Sequence, residues 1–235
     1  MSRLDELAAN LTSVEQRIRD ACDVAGRTRD EITLVVVTKT YPASDIDLLA
    51  ELGITDVGEN RHPEAEDKWA EVRRSVRHHF VGGLQTNKAG AVSRYADVVQ
   101  SVDRSKLARS LSRGAEEADR ELGCLVQVDL GSEPSGSAAS QRSGIDPSGL
   151  GELADLVAGL TNLRLDGVMT VAPLGVDPRP VFDDLVALYA RMRSDHPDAM
   201  VVSAGMSDDF AEAVKAGATH LRVGRSILGE RAVLR

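Results

Sequence analysis

The sequence predicts a single parallel (β/α)₈ barrel of the TIM type over residues 1–235. Short aliphatic runs alternate with segments of helical length and composition, a pattern typical of βαβ units that build a parallel sheet. The runs number eight, which suits a closed barrel, whereas a doubly wound sheet more often has about five or six strands. No glycine-rich dinucleotide fingerprint follows the first run, TLVVVTKT. The barrel is therefore favoured.

The eight runs are spread along most of the chain. They cover residues 33–40, 54–59, 78–83, 97–103, 124–130, 163–173, 200–205 and 220–228. Helical patterns lie between them, among them 43–52, 104–122, 180–194 and 208–216. Before the first run, apolar residues from Leu4 to Ala25 recur every three or four positions, as on one face of a helix, and Gly26 is expected to end that helix. Because little chain follows the eighth run, we expect helix 1–26 to pack on the barrel between strands eight and one.

Composition limits the functional classes. Hydrophobic residues make up 42% of the chain and aromatic residues only 3%, so the core must be aliphatic. A formal net charge of -9 disfavours nucleic acid as a partner. No apolar stretch approaches the roughly 20 residues that span a bilayer, and no signal peptide is recognisable. We expect a cytoplasmic protein. Its two cysteines and five histidines form no recognisable metal-binding pattern.

Lys39 ends the first predicted strand and is the first candidate for chemistry. Side-chain alternation places Thr33, Val35, Val37 and Lys39 on one face of that strand. If this face points into the barrel, Lys39 lies at the mouth above aliphatic layers, where desolvation favours the neutral, nucleophilic amine. Such an amine forms a Schiff base with an aldehyde. The alternative is a strand-end lysine that extends into solvent.

The loops after strands seven and eight are the second candidate site. In barrels these loops often bind phosphate through glycine amides and a helix N-terminus. Strand seven runs into Ser203-Ala204-Gly205-Met206-Ser207, and strand eight into Gly224-Arg225-Ser226. The alternative is that the glycines form ordinary turns and that Ser207 or Asp208 caps a helix. A reactive lysine and a phosphate site together fit either pyridoxal 5′-phosphate (PLP) or the sugar phosphate of a Schiff-base aldolase, and the residues alone do not choose.

Longer strings are more specific. The chain contains VVVTKTYPASDI (35–46), VGEN (57–60), HFVGGLQTNK (79–88), GVMTVAP (167–173), SAGMSDDFAEAVKAG (203–217) and LRVGRSILG (221–229). In content and order these strings resemble the PLP homeostasis protein family, which is related to the barrel domain of alanine racemase. The resemblance implies that PLP forms a Schiff base with Lys39. It further implies that Asn60 and Met169 lie near the cofactor ring, that Ser203, Ser207, Gly224 and Arg225 hold the phosphate, and that Met206 belongs to the same cofactor-binding loop.

The resemblance places Arg222 at the pyridine nitrogen of the cofactor. A permanently cationic guanidinium donates a hydrogen bond and leaves that nitrogen unprotonated. The unprotonated ring is a weaker electron sink than one protonated beside an aspartate. The alternative for Arg222 is an ion pair with Asp208 or Asp209.

The chain departs from the family near strand five. Where the family carries a short ExxKxG string, this chain has a Ser/Gly-rich segment, 131–149, in which Arg142 stands where a lysine is usual. We expect this segment to be a mobile flap or a tolerated insertion.

The tyrosines favour a cofactor carrier over an efficient racemase. Two-base racemisation needs a second proton shuttle opposite the lysine, and the racemases that the chain resembles take it from a tyrosine of a separate β-domain. The chain has only Tyr41, Tyr95 and Tyr189, and Tyr41 follows Lys39 on the same strand end. We therefore expect a monomeric PLP carrier or buffer in PLP homeostasis, with apo PLP-dependent enzymes as partners. The alternatives are a weak or vestigial amino-acid racemase and, third, a Schiff-base aldolase.

Overall fold

The computed structural model describes residues 2–131 and 143–229, and these contain a closed barrel of eight parallel strands. The strands are β1 (Thr33–Val37), β2 (Asp56–Glu59), β3 (Arg77–Phe80), β4 (Val98–Val102), β5 (Leu122–Gln127), β6 (Leu163–Met169), β7 (Val201–Ser203) and β8 (His220–Val223). Neighbours pair in chain order, and β8 closes on β1 with Thr33 opposite His220 and Val36 opposite Val223. The predicted barrel is confirmed.

Helices surround the barrel between the strands. They are α1 (Arg3–Ala25), α2 (Ala43–Glu51), α3 (Glu64–Glu71), α4 (Ala89–Val92), α5 (Ser105–Glu117), α6 (Leu150–Gly159), α7 (Arg179–Asp195), α8 (Phe210–Ala216) and α9 (Arg225–Leu228). Each predicted strand run overlaps one observed strand, and several runs extend past its carboxyl end. The run 163–173, for example, extends beyond the end of β6, because the loop that follows also buries an apolar residue, Ala172. No helix in the described part of the chain is long and apolar enough to cross a membrane.

α1 packs mainly against α8 and α9 in the outer layer. Its buried face presents Leu7, Leu11, Val14, Ile18, Ala21 and Cys22. At its start, Asn10 Nδ2 donates to the carbonyl of Ile227 at 2.9 Å, and Arg3 Nη2 donates to that of Leu228 at 3.0 Å. Gly26 ends the helix in the left-handed conformation, with φ of 65°. The first helix of the chain therefore packs against its last two described helices, α8 and α9.

The core has two parts, which the strand alternation separates. Outward-facing strand residues join helix residues in one large aliphatic cluster. Inside the barrel, Val98, Leu125 and Met169 pack together with Val201. The inner part also contains buried polar side chains, which lie on strands from β2 to β8.

The Ser/Gly-rich segment predicted at 131–149 lies mostly outside the described residues. The expected flap or insertion, and Arg142 within it, belong to residues 132–142. The chain beyond them returns to β5, where Ile145 forms a bridge with Val128 and Gln127 Nε2 donates to the Ser143 carbonyl at 2.7 Å. Residues 143–145 are thereby held against the carboxyl end of β5.

The interior histidine at the start of β8 predicts a loss of stability in acid. Burial lowers the pKa of His220 to about 4. An unfolded histidine titrates near 6.5, so between these values the unfolded chain binds the proton and the folded chain does not. The free energy of unfolding should therefore fall by about 2 kcal/mol between pH 7 and pH 5 on account of this group. Urea unfolding of the wild type and His220→Gln at both pH values measures it, and equal pH dependence in the two proteins contradicts the prediction.

Candidate functional site

Lys39 follows β1 at the carboxyl end of the barrel and is half-buried. The neighbouring strand shows which way β1 faces, because a Cβ built on Gly58 would lie 3.3 Å from Val35 Cγ1 and 3.6 Å from Val37 Cγ2. Leu34 and Val36, by contrast, belong to the outer cluster. Continued alternation leaves Lys39 on the side of the barrel axis.

The backbone next to Lys39 is fixed by a buried charged pair. Glu59 Oε1 accepts hydrogen bonds from Thr38 Oγ1 at 2.7 Å and from Lys68 Nζ at 2.6 Å. Lys68 Nζ also donates to the Thr38 carbonyl at 2.9 Å. On the other side, Thr40 has φ of 72°, which is an unfavourable conformation for a β-branched residue. Lys39 thus lies in a short strained turn whose start is anchored from outside the barrel.

Arg222, on β8, is a buried cation inside the barrel. This residue is only 5% exposed to solvent, and this burial lowers its pKa to about 10, an effect that nearby Asp209 opposes. The guanidinium donates from Nη1 to Ser203 Oγ at 2.5 Å and from Nη2 to the Thr170 carbonyl at 2.7 Å. It therefore remains charged at neutral pH and is held by β6 and β7.

The alternative partners for Arg222 are engaged elsewhere. Asp208 pairs with Arg225 at 3.2 Å, and Asp209 Oδ1 accepts from the backbone amide of Met206 at 2.5 Å. Arg222 therefore forms no direct hydrogen bond with either aspartate in the described part of the chain. The negative charge of Asp209 nevertheless acts to raise the pKa of the guanidinium.

The loops after β7 and β8 meet at the same end of the barrel. Gly205 has φ of 89°, and a Cβ there would lie 2.7 Å from Ala213 Cβ, so only glycine fits. A Cβ on Gly224 would lie 3.0 Å from the carbonyl oxygen of Val37. This close approach brings the loop after β8 next to the end of β1, the strand that Lys39 follows.

Two features leave the loop after β7 suited to an anion. No hydrogen bond among the described residues uses the backbone amide of Ser207 or that of Gly224. From behind, Arg17 on α1 donates through Nη2 to the Ser207 carbonyl at 3.1 Å and stacks over the ring of Phe210 at 4.6 Å. The loops after β7 and β8 thus each have a backbone amide without a partner among the described residues, and a cation from α1 holds the Ser207 carbonyl.

The predicted site residues gather at this end of the barrel at different depths. Ser203, Met169 and Arg222 are buried, Asn60, Met206 and Gly224 are half-buried, Ser207 is nearly buried, and Arg225 is exposed. Ser203 lies inside the barrel, where its hydroxyl donates to Gln100 Oε1 at 2.7 Å and accepts from Arg222. Direct contact of Ser203 with a phosphate stays a prediction.

Sequence reasoning missed four residues that support the site: Arg17, Glu59, Lys68 and Gln100. Gln100 carried a visible signal, since it and Ser101 are polar residues within the otherwise aliphatic run VVQSV. Lys68 and Arg17 carried none, because charged residues on helices are ordinarily solvated. Their role depends on which strand ends the fold places beside them.

Comparison with known proteins assigns the family. Residues 3–232 match the family described as alanine racemase, N-terminal domain. The PLP homeostasis protein of Mycobacterium bovis is 37% identical over 97% of this chain and 94% of its own length. That of Escherichia coli K12 is 34% identical over 97% of this chain and 98% of its own. The chain belongs to the PLP homeostasis protein family.

Solved structures agree with the family assignment. PipY of Synechococcus elongatus, in a structure with PLP bound, shares 30% identity with this PLP homeostasis family member and has a TM-score of 0.81 over 95% of this chain and all of PipY. Alanine racemase of Clostridium difficile has a TM-score of 0.74 at 14% identity, over 98% of this chain and 61% of the racemase. The latter likeness shows a shared fold only. This chain thus spans all of PipY but only part of the racemase chain.

Proposed function

We propose that this chain binds PLP as a Schiff base on Lys39 and acts as a carrier and buffer of the cofactor in PLP homeostasis. Its family and the PLP-bound PipY structure support the ligand. The observation that carries the proposal is the juxtaposition at one barrel mouth of Lys39, the glycine loop after β8 and the buried cation Arg222. PLP combines the three groups that these features would bind: an aldehyde, a phosphate and a pyridine ring.

The loops after β7 and β8 fit the phosphate. The backbone amides of Ser207 and Gly224 are available, and Gly224 lets the backbone approach the strand that carries Lys39. Arg225 would contribute through its own amide, with its side chain held by Asp208. Met206 completes the loop. For Ser203 we propose an indirect contribution, because its hydroxyl is bonded to the guanidinium of Arg222.

The barrel interior fits the ring. Met169 offers a buried apolar surface, Asn60 a polar side chain at the end of β2, and Arg222 a cation toward the ring nitrogen. When bound, PLP supplies an aldehyde that an amine captures with loss of one water, and a ring that withdraws electrons from the attached group. A cationic guanidinium at the ring nitrogen weakens that withdrawal. The site is thereby better suited to holding the cofactor than to carbanion chemistry.

The tyrosines support a carrier over a racemase. Tyr41 Oη donates to the Gly229 carbonyl at 2.7 Å, and Tyr95 Oη lies 3.2 Å from His62 Nδ1. Tyr189 lies on α7, in the helical layer outside the barrel. None of the three is placed as a proton shuttle across the mouth from Lys39. We further propose that the protein is a monomer and that apo PLP-dependent enzymes receive the cofactor.

Titration with PLP followed by borohydride tests the cofactor and its attachment. A near-visible absorbance band should appear on mixing, and borohydride should reduce the C=N bond and fix the cofactor to a lysine. The chain has five lysines, so peptide mass mapping distinguishes Lys39 from Lys68, Lys88, Lys106 and Lys215. Label on Lys39 alone is expected. A folded protein that shows no band, or label spread evenly over the lysines, contradicts the proposal.

A further inference from the structure

A chain of buried hydrogen bonds crosses the barrel interior behind Arg222. Arg222 Nη1 donates to Ser203 Oγ, and Ser203 Oγ donates to Gln100 Oε1 at 2.7 Å. Gln100 Nε2 lies 2.9 Å from His79 Nδ1, and His79 Nε2 lies 2.8 Å from Asp56 Oδ1. The chain therefore joins β8, β7, β4, β3 and β2, and each of its members is at least nine-tenths buried.

The hydrogen-bonding capacities of these groups fix the direction of the chain. An arginine can only donate, so Ser203 Oγ accepts from Arg222 and its single proton is left for Gln100. The carbonyl end of Gln100 is then used, and its amide nitrogen must donate to His79 Nδ1. The proton of His79 is consequently on Nε2, where it is donated to the Asp56 carboxylate. If the side-chain amide of Gln100 were turned over, its nitrogen would lie against Ser203 Oγ. That hydroxyl would then meet two donors, Arg222 and Gln100, and its own proton would have no acceptor.

All donors in this chain point from the cation at one end to the anion at the other. Each group presents its acceptor side toward Arg222, and successive bonds of this kind strengthen one another. Burial alone would raise the pKa of Asp56, but hydrogen bonds from His79 and Thr55, together with nearby positive charge such as that of Arg77, lower that pKa below its usual value. Asp56 therefore remains an anion that ends the chain.

We propose that Ser203, Gln100, His79 and Asp56 position the guanidinium of Arg222 toward the ring nitrogen of the bound cofactor. This inference rests on the proposed function, because it assumes that Arg222 faces PLP. Only Arg222 is assigned to the cofactor directly, and Gln100, His79 and Asp56 act through it as positioning residues. Without these hydrogen bonds, the guanidinium would retain one partner among the described residues, the Thr170 carbonyl, and could turn away from the ring.

Substitutions at His79 test the inference, because this residue is separated from Arg222 by two others. His79→Leu removes both the acceptor for Gln100 and the donor to Asp56. His79→Gln can keep both, since its carbonyl can accept from Gln100 while its amide donates to Asp56. Ser101→Ala is the matched control: Ser101 is buried beside Gln100 on β4, and its hydroxyl has no hydrogen-bond partner among the described residues.

We expect His79→Leu to weaken PLP binding by about tenfold, in line with the loss of buried hydrogen bonds. The absorbance maximum of PLP bound to His79→Leu should also shift, and its dependence on pH should change. The reason is that the ring nitrogen would no longer face a cation held in a fixed position. His79→Gln and Ser101→Ala should both stay close to the wild type in affinity and spectrum. A folded His79→Leu protein with wild-type affinity and spectrum overturns the inference.

A measurement without PLP separates this inference from the proposed function. In ¹⁵N NMR spectra of the histidine-labelled apo protein at neutral pH, His79 should be the neutral tautomer with its proton on Nε2. Gln100→Leu should shift the Nδ1 resonance, because that nitrogen loses its donor, while the proton stays on Nε2 beside Asp56. This measurement tests the chain of hydrogen bonds even if the protein does not bind PLP. In that case the proposed function fails, but the directed hydrogen bonds can still be present. A His79 with its proton on Nδ1, or on both nitrogens, overturns the directed chain.

Discussion

Lys39→Ala is expected to abolish the near-visible band that PLP produces with the wild-type protein, and to weaken PLP binding by at least about 100-fold, equivalent to about 2.7 kcal/mol. The phosphate loops and Arg222 would remain, so residual non-covalent binding should persist, but no lysine would stand at the end of β1 to form the C=N bond. Absorbance titration and equilibrium dialysis measure the two effects. Borohydride should no longer fix the cofactor to the protein.

Lys106→Ala is the matched control for this experiment. Lys106 is an exposed residue near the start of α5, so its loss should change neither the band nor the affinity. Both variants should unfold within about 1 kcal/mol of the wild type, since neither side chain is part of the aliphatic core. An undiminished band in Lys39→Ala would move the Schiff base to another lysine and remove the central assignment of the proposed function.

Deleting residues 2–26 should lower the melting temperature by more than about 10 °C or prevent folding. α1 buries a continuous aliphatic face against the barrel, and its removal exposes the surfaces of α8 and α9 that it covers. A single truncation such as Leu7→Ala or Ile18→Ala, at fully buried positions, should already cost about 2–5 kcal/mol. Thermal and urea unfolding followed by circular dichroism measure both effects.

Val24→Ala provides the comparison within the same helix. Val24 is 73% exposed, so its truncation should change the free energy of unfolding by less than about 0.5 kcal/mol. If the deletion variant had the melting temperature of the wild type, α1 would not stabilise the barrel. Its contacts with Ile227 and Leu228 would then contribute nothing measurable to the free energy of unfolding. The deletion should also weaken PLP binding, because Arg17 would no longer hold the Ser207 carbonyl.

Much of the barrel could be predicted because parallel strands are buried on both faces. Such strands form short aliphatic runs, and all eight runs coincide with strands. The carboxyl ends of parallel strands meet at one end of a barrel, so Lys39, Ser203 and Arg222 could be assigned to one mouth from strand order alone. The strand ends were less predictable, since loops such as that after β6 also bury aliphatic residues.

The interior of the site could not be predicted in the same way. The buried His79 contacts Asp56 and Gln100, which come from different strands. Their contact depends on strand register and on the depth of each side chain in the barrel, which periodicity does not determine. The same holds for Lys68, whose bonds to Glu59 and Thr38 depend on where α3 lies over β1 and β2.

The packing of α1 against α8 and α9 also bears on how the chain is made. A ribosome synthesises α1 first, yet the helices that cover its aliphatic face emerge only after nearly two hundred further residues. During that interval the aliphatic face of α1, with Leu7, Leu11, Val14 and Ile18, lacks the cover that α8 and α9 later supply. The barrel can close only after β8 has been synthesised, so α1 gains its contacts with α8 and α9 late. Protection of this face, by early transient contacts or by a chaperone, is then part of producing this protein.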